Sequence, residues 1–240
     1  MSSVKNPNSP FKAVLFDFDG VIGDTMEDNY RAWLYALGLF GATFTKDEYF
    51  RLEGHRVVDI AAKTLILRGK DPVHAAEVAK AKDDFYISNN NFKFSIGVED
   101  LIQTLLENKI PIVLVTGGAR KRILNDLTAP ILDKLTYIVS ADDCKTGKPD
   151  PEPYLMGANK IGVSPTQCLV IENAPLGIES ANAAKMFCIA ICSTLKPKDL
   201  NKADLIIDNF SGLKEILNIK NGAVFINQLS TYPYILAAQI

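Results

Sequence analysis

Two aspartates that follow an apolar run are the first candidates for chemistry in this sequence. Asp17 and Asp19 come directly after residues 12–16 and precede Gly20. Residues two apart on an extended segment point to the same side, so both carboxyl groups can face one site. One carboxylate can then form a covalent intermediate while the other carries the leaving-group proton. An Asp-x-Asp pair can also merely cap a turn, and the pair alone leaves that alternative open.

Polar residues lie beyond later apolar runs as well. In chain order they are Thr116, Gly117 and Gly118, then Lys148, then Glu172 and Asn173. Ligands of open α/β sheets bind beyond the carboxyl ends of the strands, so these residues are expected in one crevice. Oxygen ligands suit a magnesium ion, while a lysine, a hydroxyl and backbone amides neutralise phosphoryl oxygens. The set therefore indicates a magnesium–phosphate site.

Alternating strands and helices are predicted to position this site. Besides 12–16, apolar runs at 110–115, 137–139, 168–171, 187–191 and 204–207 predict buried strands. Residues 98–108 and 175–185 have helical periodicity between such runs. This alternation predicts an α/β fold in which helices cover both faces of a parallel sheet.

Residues 25–92 interrupt the alternation. Helical patterns at 26–39, 46–52, 57–67 and 73–86 occur there without a convincing strand. We therefore predict an all-helical cap at 25–92 inserted into a discontinuous core of residues 11–24 and 93–218. Residues 219–240 are predicted to form a tail packed on the core, and Trp33 is expected in the interior of the cap.

Four segments together resemble the haloacid dehalogenase superfamily, in the branch with a helical cap. They are FDFDGVIGDT at 16–25, VTGG at 115–118, KTGKPDPEPY at 145–154 and VIENAPLG at 170–177. Their order matches the family, and the resemblance covers about residues 11–217. It implies a Rossmann-like doubly wound core with the cap. It also implies a magnesium-dependent phosphatase that hydrolyses a small organic phosphate monoester through an aspartyl-phosphate.

The resemblance also implies roles for single residues. Asp17 is then the nucleophile and a magnesium ligand, and Asp19 is the acid/base and a ligand through its backbone carbonyl. Thr116 and the amides of Gly117 and Gly118 bind the phosphoryl group, and Lys148 binds it and stabilises its charge beside the nucleophile. Taken alone, Lys148 would more often be a solvated loop lysine, and the main role predicted for Asp24 is to cap the first cap helix.

Asn173 departs from the family pattern, which usually has two successive acidic residues here. Glu172 and Asn173 are both predicted magnesium ligands, because an amide oxygen can still bind a hard cation. One negative charge is missing, however, so metal affinity is expected to be reduced. The pair could alternatively cap the helix that starts near Pro175.

The cap carries the predicted substrate specificity. Residues 30–33 and the loop at 52–56 resemble the caps of beta-phosphoglucomutases and phosphoglycolate phosphatase-like enzymes. His55 and Arg56 are predicted specificity residues, with surface polar residues beside a turn as the alternative. The mutases hold a second phosphate with basic groups where Glu53 and Val57 stand here, which favours hydrolysis. A mutase of this type and a non-catalytic phosphate-binding or regulatory protein remain the alternatives.

Composition bounds the partners and the compartment. The net charge is −2 and no long Lys/Arg run occurs, so neither nucleic acid nor a membrane is an expected partner. We expect a monomer that acts on a small phosphorylated metabolite. Residues 1–10 lack the apolar segment of a secretory signal, and no short CxxC pair occurs among the four cysteines. Free thiols and a cytoplasmic location are therefore expected.

Overall fold

A central sheet of parallel strands dominates the computed structural model, which describes residues 9–124, 128–227 and 235–236. The strands are β1 (Ala13–Phe16), β2 (Ile112–Val115), β3 (Tyr137–Val139), β4 (Cys168–Glu172), β5 (Phe187–Ile191), β6 (Leu205–Ile207), β7 (Leu217–Lys220), β8 (Ala223–Ile226) and β9 (Ile235–Leu236). The sheet order is β3-β2-β1-β4-β5-β6-β9, and only β9 is antiparallel to its neighbour. All six predicted strands are confirmed.

The helices fall into a cap group and a core group. The cap contains α1 (Met26–Gly38), α2 (Lys46–Phe50), α3 (Val57–Leu67) and α4 (Ala75–Asn89). The core contains α5 (Val98–Glu107), α6 (Arg120–Ile123), α7 (Ala129–Leu132), α8 (Glu152–Lys160), α9 (Pro175–Ala183) and α10 (Phe210–Ile216). The last predicted cap helix begins as a 3₁₀ turn at Pro72–His74 and continues in α4.

Both faces of the sheet are buried because successive side chains of each strand point to opposite sides. In β1, Val14 and Phe16 belong to the apolar cluster that contains α5 and α10 side chains. Ala13 and Leu15 belong to the cluster that contains α8 and α9 side chains. The core is therefore a three-layer, doubly wound α/β structure, as predicted.

The chain enters and leaves the cap through two adjacent linkers. The N–H of Asp24 donates to the carbonyl of Lys93 at 2.9 Å, and the N–H of Ser95 donates to the carbonyl of Ile22 at 2.9 Å. Between these linkers, residues 26–89 are all described and contain no strand. The N-cap residue of α1 is Thr25, so the prediction that Asp24 caps this helix is wrong.

An aromatic cluster fills the interior of the cap. Trp33, Phe44 and Tyr49 are buried, and the rings of Trp33 and Phe44 lie 5.9 Å apart. Trp33 was expected there.

The C-terminal segment begins as a hairpin of β7 and β8. Val224 is buried and pairs with Phe11 beside β1, so the hairpin packs on the core. Residues 228–234 and 237–240 of the predicted tail, and residues 1–8 of the predicted frayed start, lie outside the described residues. All four cysteines are free thiols, as expected. In the described part of the chain, no helix combines the length and apolarity needed to cross a membrane.

Candidate active site

The predicted site residues meet where the strand order reverses. β2, the next strand along the chain, pairs with β1 on one side, and β4 pairs with β1 on the other side. The carboxyl ends of parallel strands lie at one edge, and the reversal opens a crevice there. The N–H of Asp17 donates to the carbonyl of Ile171 at 3.0 Å, which fixes the end of β1 beside the end of β4.

Lys148 links the two carboxylates at these strand ends. Its Nζ donates to Asp17 Oδ1 at 2.6 Å, to Glu172 Oε1 at 2.6 Å and to the carbonyl of Val115 at 3.1 Å. It is 2% exposed, so the alternative of a solvated loop lysine is wrong. Burial lowers its pKa, but Asp17 and Glu172 outweigh this and raise it, so Lys148 is a cation. Its charge beside Asp17 suits it to offset the charge of an anionic group there.

The electrostatic surroundings of Asp17 differ from those of Asp19. Burial raises the pKa of Asp17 to about 7, with Lys148 opposing and Glu172 adding to the rise. Burial also opposes the charge of Asp19, but Arg122 outweighs it and lowers the pKa of Asp19 to about 2. Two carboxyl groups of one site are thus held at different proton affinities.

Glu172 is surrounded by donors. Its Oε1 accepts from Lys148 and from the hydroxyl of Tyr154 at 2.8 Å. Its Oε2 accepts from the N–H groups of Asn173 at 2.9 Å and Ala174 at 3.1 Å. A carboxylate offers about four acceptor positions, and these four donors use them. In this geometry Glu172 bonds to Lys148 and to the backbone just before α9. The predicted role of Glu172 as a magnesium ligand remains a prediction.

Asn173 has the chemistry that a magnesium ligand needs. Its Oδ1 is buried and has no hydrogen-bond partner among the described residues, while its Nδ2 donates to the hydroxyl of Thr194 at 3.1 Å. An unpartnered buried oxygen costs free energy unless something binds it. The side chain packs against Gly20, where a methyl group would clash with it. Its place beside the turn of Asp17 and Asp19 therefore fits a hard cation.

The turn after β2 is shaped by Thr116. Its Oγ1 accepts from the N–H of Gly118 at 3.0 Å, and its own N–H donates to the carbonyl of Val139 at 3.0 Å. The cap loop lies against this turn, since a methyl group on Gly117 would be 2.8 Å from the carbonyl oxygen of His55. The predicted phosphoryl-binding turn is thus covered by the cap.

Asp19 lies at the centre of a buried hydrogen-bond network. Its Oδ1 accepts from Thr25 Oγ1 at 2.6 Å, Asn29 Nδ2 at 2.8 Å and Arg122 Nη1 at 3.0 Å. Its Oδ2 accepts from Arg122 Nη2. Lys82 extends the network by donating to Asn29 Oδ1 at 2.6 Å. Side chains from the core and the cap thus converge on one carboxylate.

A cavity between cap and core contains both aspartates. Besides Asp17 and Asp19, its polar lining comprises Asn29, Glu53, His55, Lys82 and Arg122. Burial, with a smaller contribution from Asp19, raises the pKa of Glu53 to about 8. The cavity therefore brings both aspartates together with polar side chains of the cap.

The two predicted specificity residues lie in different surroundings. His55 lines the cavity, and its Nε2 is 2.6 Å from Lys63 Nζ. Arg56 instead pairs with Asp59, with Nε to Oδ2 at 2.8 Å, and donates to the carbonyl of Lys145 at 3.1 Å. Arg56 thus ties the cap loop to the loop before Lys148.

Sequence reasoning missed Arg122 and Lys82 and gave Glu53 only a negative role. The cluster of cations at 120–122, soon after the predicted turn, was a usable signal for Arg122. Lys82 lies in an ordinary amphipathic helix of charged and apolar residues, which gives no such signal.

Comparisons with known proteins identify the family of this chain. The family described as haloacid dehalogenase-like hydrolase matches residues 14–191. Validoxylamine A 7'-phosphate phosphatase of Streptomyces hygroscopicus subsp. limoneus is 26% identical over 208 residues, covering 85% of this chain and 96% of that protein. Hexitol phosphatase A of Escherichia coli (strain K12) is 29% identical over 222 residues, covering 90% and 98%. A crystal structure of beta-phosphoglucomutase from Clostridium difficile matches with a TM-score of 0.73 at 28% identity, covering 85% and 96%.

Proposed function

Because the chain belongs to the haloacid dehalogenase-like hydrolases, a family match that covers residues 14–191, we propose that it hydrolyses a small sugar-phosphate monoester. Its similarity to validoxylamine A 7'-phosphate phosphatase and to hexitol phosphatase A supports this substrate class. The observation that carries the proposal is the buried Asp17–Lys148–Glu172 chain at the switch point of the sheet. It pairs a carboxylate nucleophile with a fixed cation for phosphoryl oxygens.

The proposed reaction has two displacements at phosphorus. Asp17 Oδ2 attacks, the bond from phosphorus to the alcohol oxygen breaks, and Asp19 gives that oxygen a proton. Water then attacks phosphorus, Asp19 takes a proton from that water, the bond from phosphorus to Asp17 Oδ2 breaks, and inorganic phosphate leaves. Lys148 stays bonded to Asp17 Oδ1 and offsets the charge of the phosphoryl group. Arg122 holds Asp19 as a carboxylate, so Asp19 must leave that ion pair and take up a proton from solvent before it acts as an acid.

Magnesium would be held by Asp17, the backbone carbonyl of Asp19 and Asn173. The unpartnered buried Oδ1 of Asn173 supports this set. The chemistry supplied by the bound ion is neutralisation of phosphoryl oxygens. Glu172 would support the set indirectly through its bonds to Lys148 and to the N–H of Asn173.

The decisive experiment compares phosphate release by wild type and Asp17→Asn across a panel of sugar phosphates with magnesium. We expect wild type to release phosphate and Asp17→Asn to release none, because an amide cannot form the acyl-phosphate. Asp24→Asn is the matched control, since Asp24 is exposed and belongs to the same motif. Phosphate release by Asp17→Asn at the wild-type rate would overturn the proposal.

A sugar-phosphate mutase is the second candidate, favoured by the similarity to beta-phosphoglucomutase. Glu53 in the cap loop argues against it, because a carboxyl group there lines the cavity where the mutases use basic groups. Phosphate release and isomer formation from glucose 1-phosphate separate the two: a mutase would yield glucose 6-phosphate with little free phosphate.

A further inference from the structure

Two buried cations line the cavity on the side of Asp19. Arg122 on α6 is 3% exposed, and Lys82 on α4 is 2% exposed. Both line the cavity that contains Asp17 and Asp19. The chemical steps proposed above need neither cation at phosphorus, because Lys148 already serves the phosphoryl group. Buried charged side chains are rare unless something pairs with them, so the donors that their partners leave unused are candidates for binding an anion.

The guanidinium of Arg122 has donor capacity beyond Asp19. Both Nη atoms bond to Asp19, while Nε is buried and lacks a hydrogen-bond partner among the residues that the structure describes. The Nε and Nη2 atoms lie over Gly118, where a methyl group would clash with them. The rings of Phe18 and Tyr86 flank the group at 6.0 and 5.1 Å. A guanidinium fixed in this way presents N–H groups suited to an oxyanion.

Lys82 faces the same region from the cap. Its Nζ donates to Asn29 Oδ1 at 2.6 Å and lies 3.3 Å from Asp83 Oδ1, which leaves one of its three N–H groups. Burial and the neighbouring Arg122 lower the pKa of Lys82, so the two cations repel each other. An anion bound between them would relieve that repulsion.

The carboxyl groups of the cavity do little to repel such an anion. Asp17 is paired with Lys148, and Asp19 is paired with Arg122. Burial and nearby Asp19 raise the pKa of Glu53 to about 8, so this carboxyl group carries little charge at neutral pH.

The positions of the two cations indicate which part of a substrate they would bind. In the proposed reaction Asp19 meets the leaving oxygen, and Arg122 is bonded to Asp19, whereas Lys82 belongs to the cap. Resting on the proposed phosphatase function, we propose that Arg122 and Lys82 form a subsite for a second anionic group on the leaving alcohol. That group is a carboxylate or a second phosphate.

Matched substrates test this subsite. 3-Phosphoglycerate carries a carboxylate where glycerol 3-phosphate carries an alcohol. Fructose 1,6-bisphosphate carries a second phosphate that fructose 6-phosphate lacks. We expect wild type to favour the doubly anionic member of at least one pair by about tenfold or more in kcat/KM, and the favoured pair identifies the anion. Arg122→Met and Lys82→Met should reduce that ratio towards one. Lys121→Met, an exposed cation on the same helix, should keep it.

Several results would overturn the subsite. One is a wild-type enzyme that favours neither doubly anionic substrate. Another is a folded Arg122→Met variant that loses kcat/KM equally on both members of a pair, because Arg122 would then act at the phosphoryl site. If Arg122→Met fails to fold, Arg122→Lys, which keeps the charge, replaces it in the same comparison of substrates. Calorimetric binding of the same pairs to Asp17→Asn tests the subsite even if no substrate is hydrolysed. Absence of phosphate release alone therefore refutes only the phosphatase function.

Discussion

Replacing Glu172 with glutamine tests how the site holds its cation. All four hydrogen-bond partners of this fully buried carboxylate are donors: Lys148, Tyr154 and the N–H groups of Asn173 and Ala174. A glutamine amide has one acceptor oxygen, so its NH₂ group would face two donors in either orientation. The substitution also leaves Lys148 with one carboxylate partner.

The cost follows from these contacts. Removing one partner of a buried ion pair typically costs about 3–5 kcal/mol, and we expect Glu172→Gln to fall in that range. Tyr154→Phe removes one donor only and should cost about 1–2 kcal/mol. Gly177→Ala would push a methyl group into the Glu172 carboxylate and should destabilise the protein as well.

Urea unfolding at neutral pH, followed by circular dichroism without magnesium, measures these differences. The half-saturating magnesium concentration for phosphate release is measured alongside, and we expect Glu172→Gln to change it less than threefold, roughly 0.7 kcal/mol. A stability within about 1 kcal/mol of wild type would refute the reasoning from the four donors. A tenfold rise in half-saturating magnesium with unchanged stability would instead make Glu172 a direct ligand.

Three further substitutions test the remaining parts of the site. Asp19→Asn should lower kcat by about 10² to 10⁴ without abolishing substrate binding, because acid–base help is lost; unchanged kcat would contradict this role. Asn173→Asp should lower the half-saturating magnesium concentration, since it adds an anionic oxygen beside the proposed ion; an unchanged value would exclude Asn173 as a ligand. For Arg56→Ala, the bonds of Arg56 to Asp59 and to the carbonyl of Lys145 predict a uniform, modest loss of kcat/KM over the substrate panel. A changed ranking of substrates would instead show that Arg56 contributes to substrate specificity.

Local sequence patterns were enough to predict the strands, and they also led to the predictions of the cap and of the strand-end residues of the site. Strands such as β1 are short apolar runs, and such a run is a local property of the sequence that tertiary structure did not alter. Parallel strands bring their carboxyl ends to one edge, so the order of elements predicted that Asp17, Thr116 and Asn173 would lie in one crevice. The family resemblance added the role of each residue.

Tertiary structure alone decided the partners of the carboxylates. Arg122 lies 103 positions from Asp19, and Lys148 lies 131 positions from Asp17. Hydrogen bonds over such separations depend on how helices dock on the sheet, and periodicity carries no information about docking. The same docking turned Glu172 towards four donors and left the Oδ1 of Asn173 without a partner in the described chain.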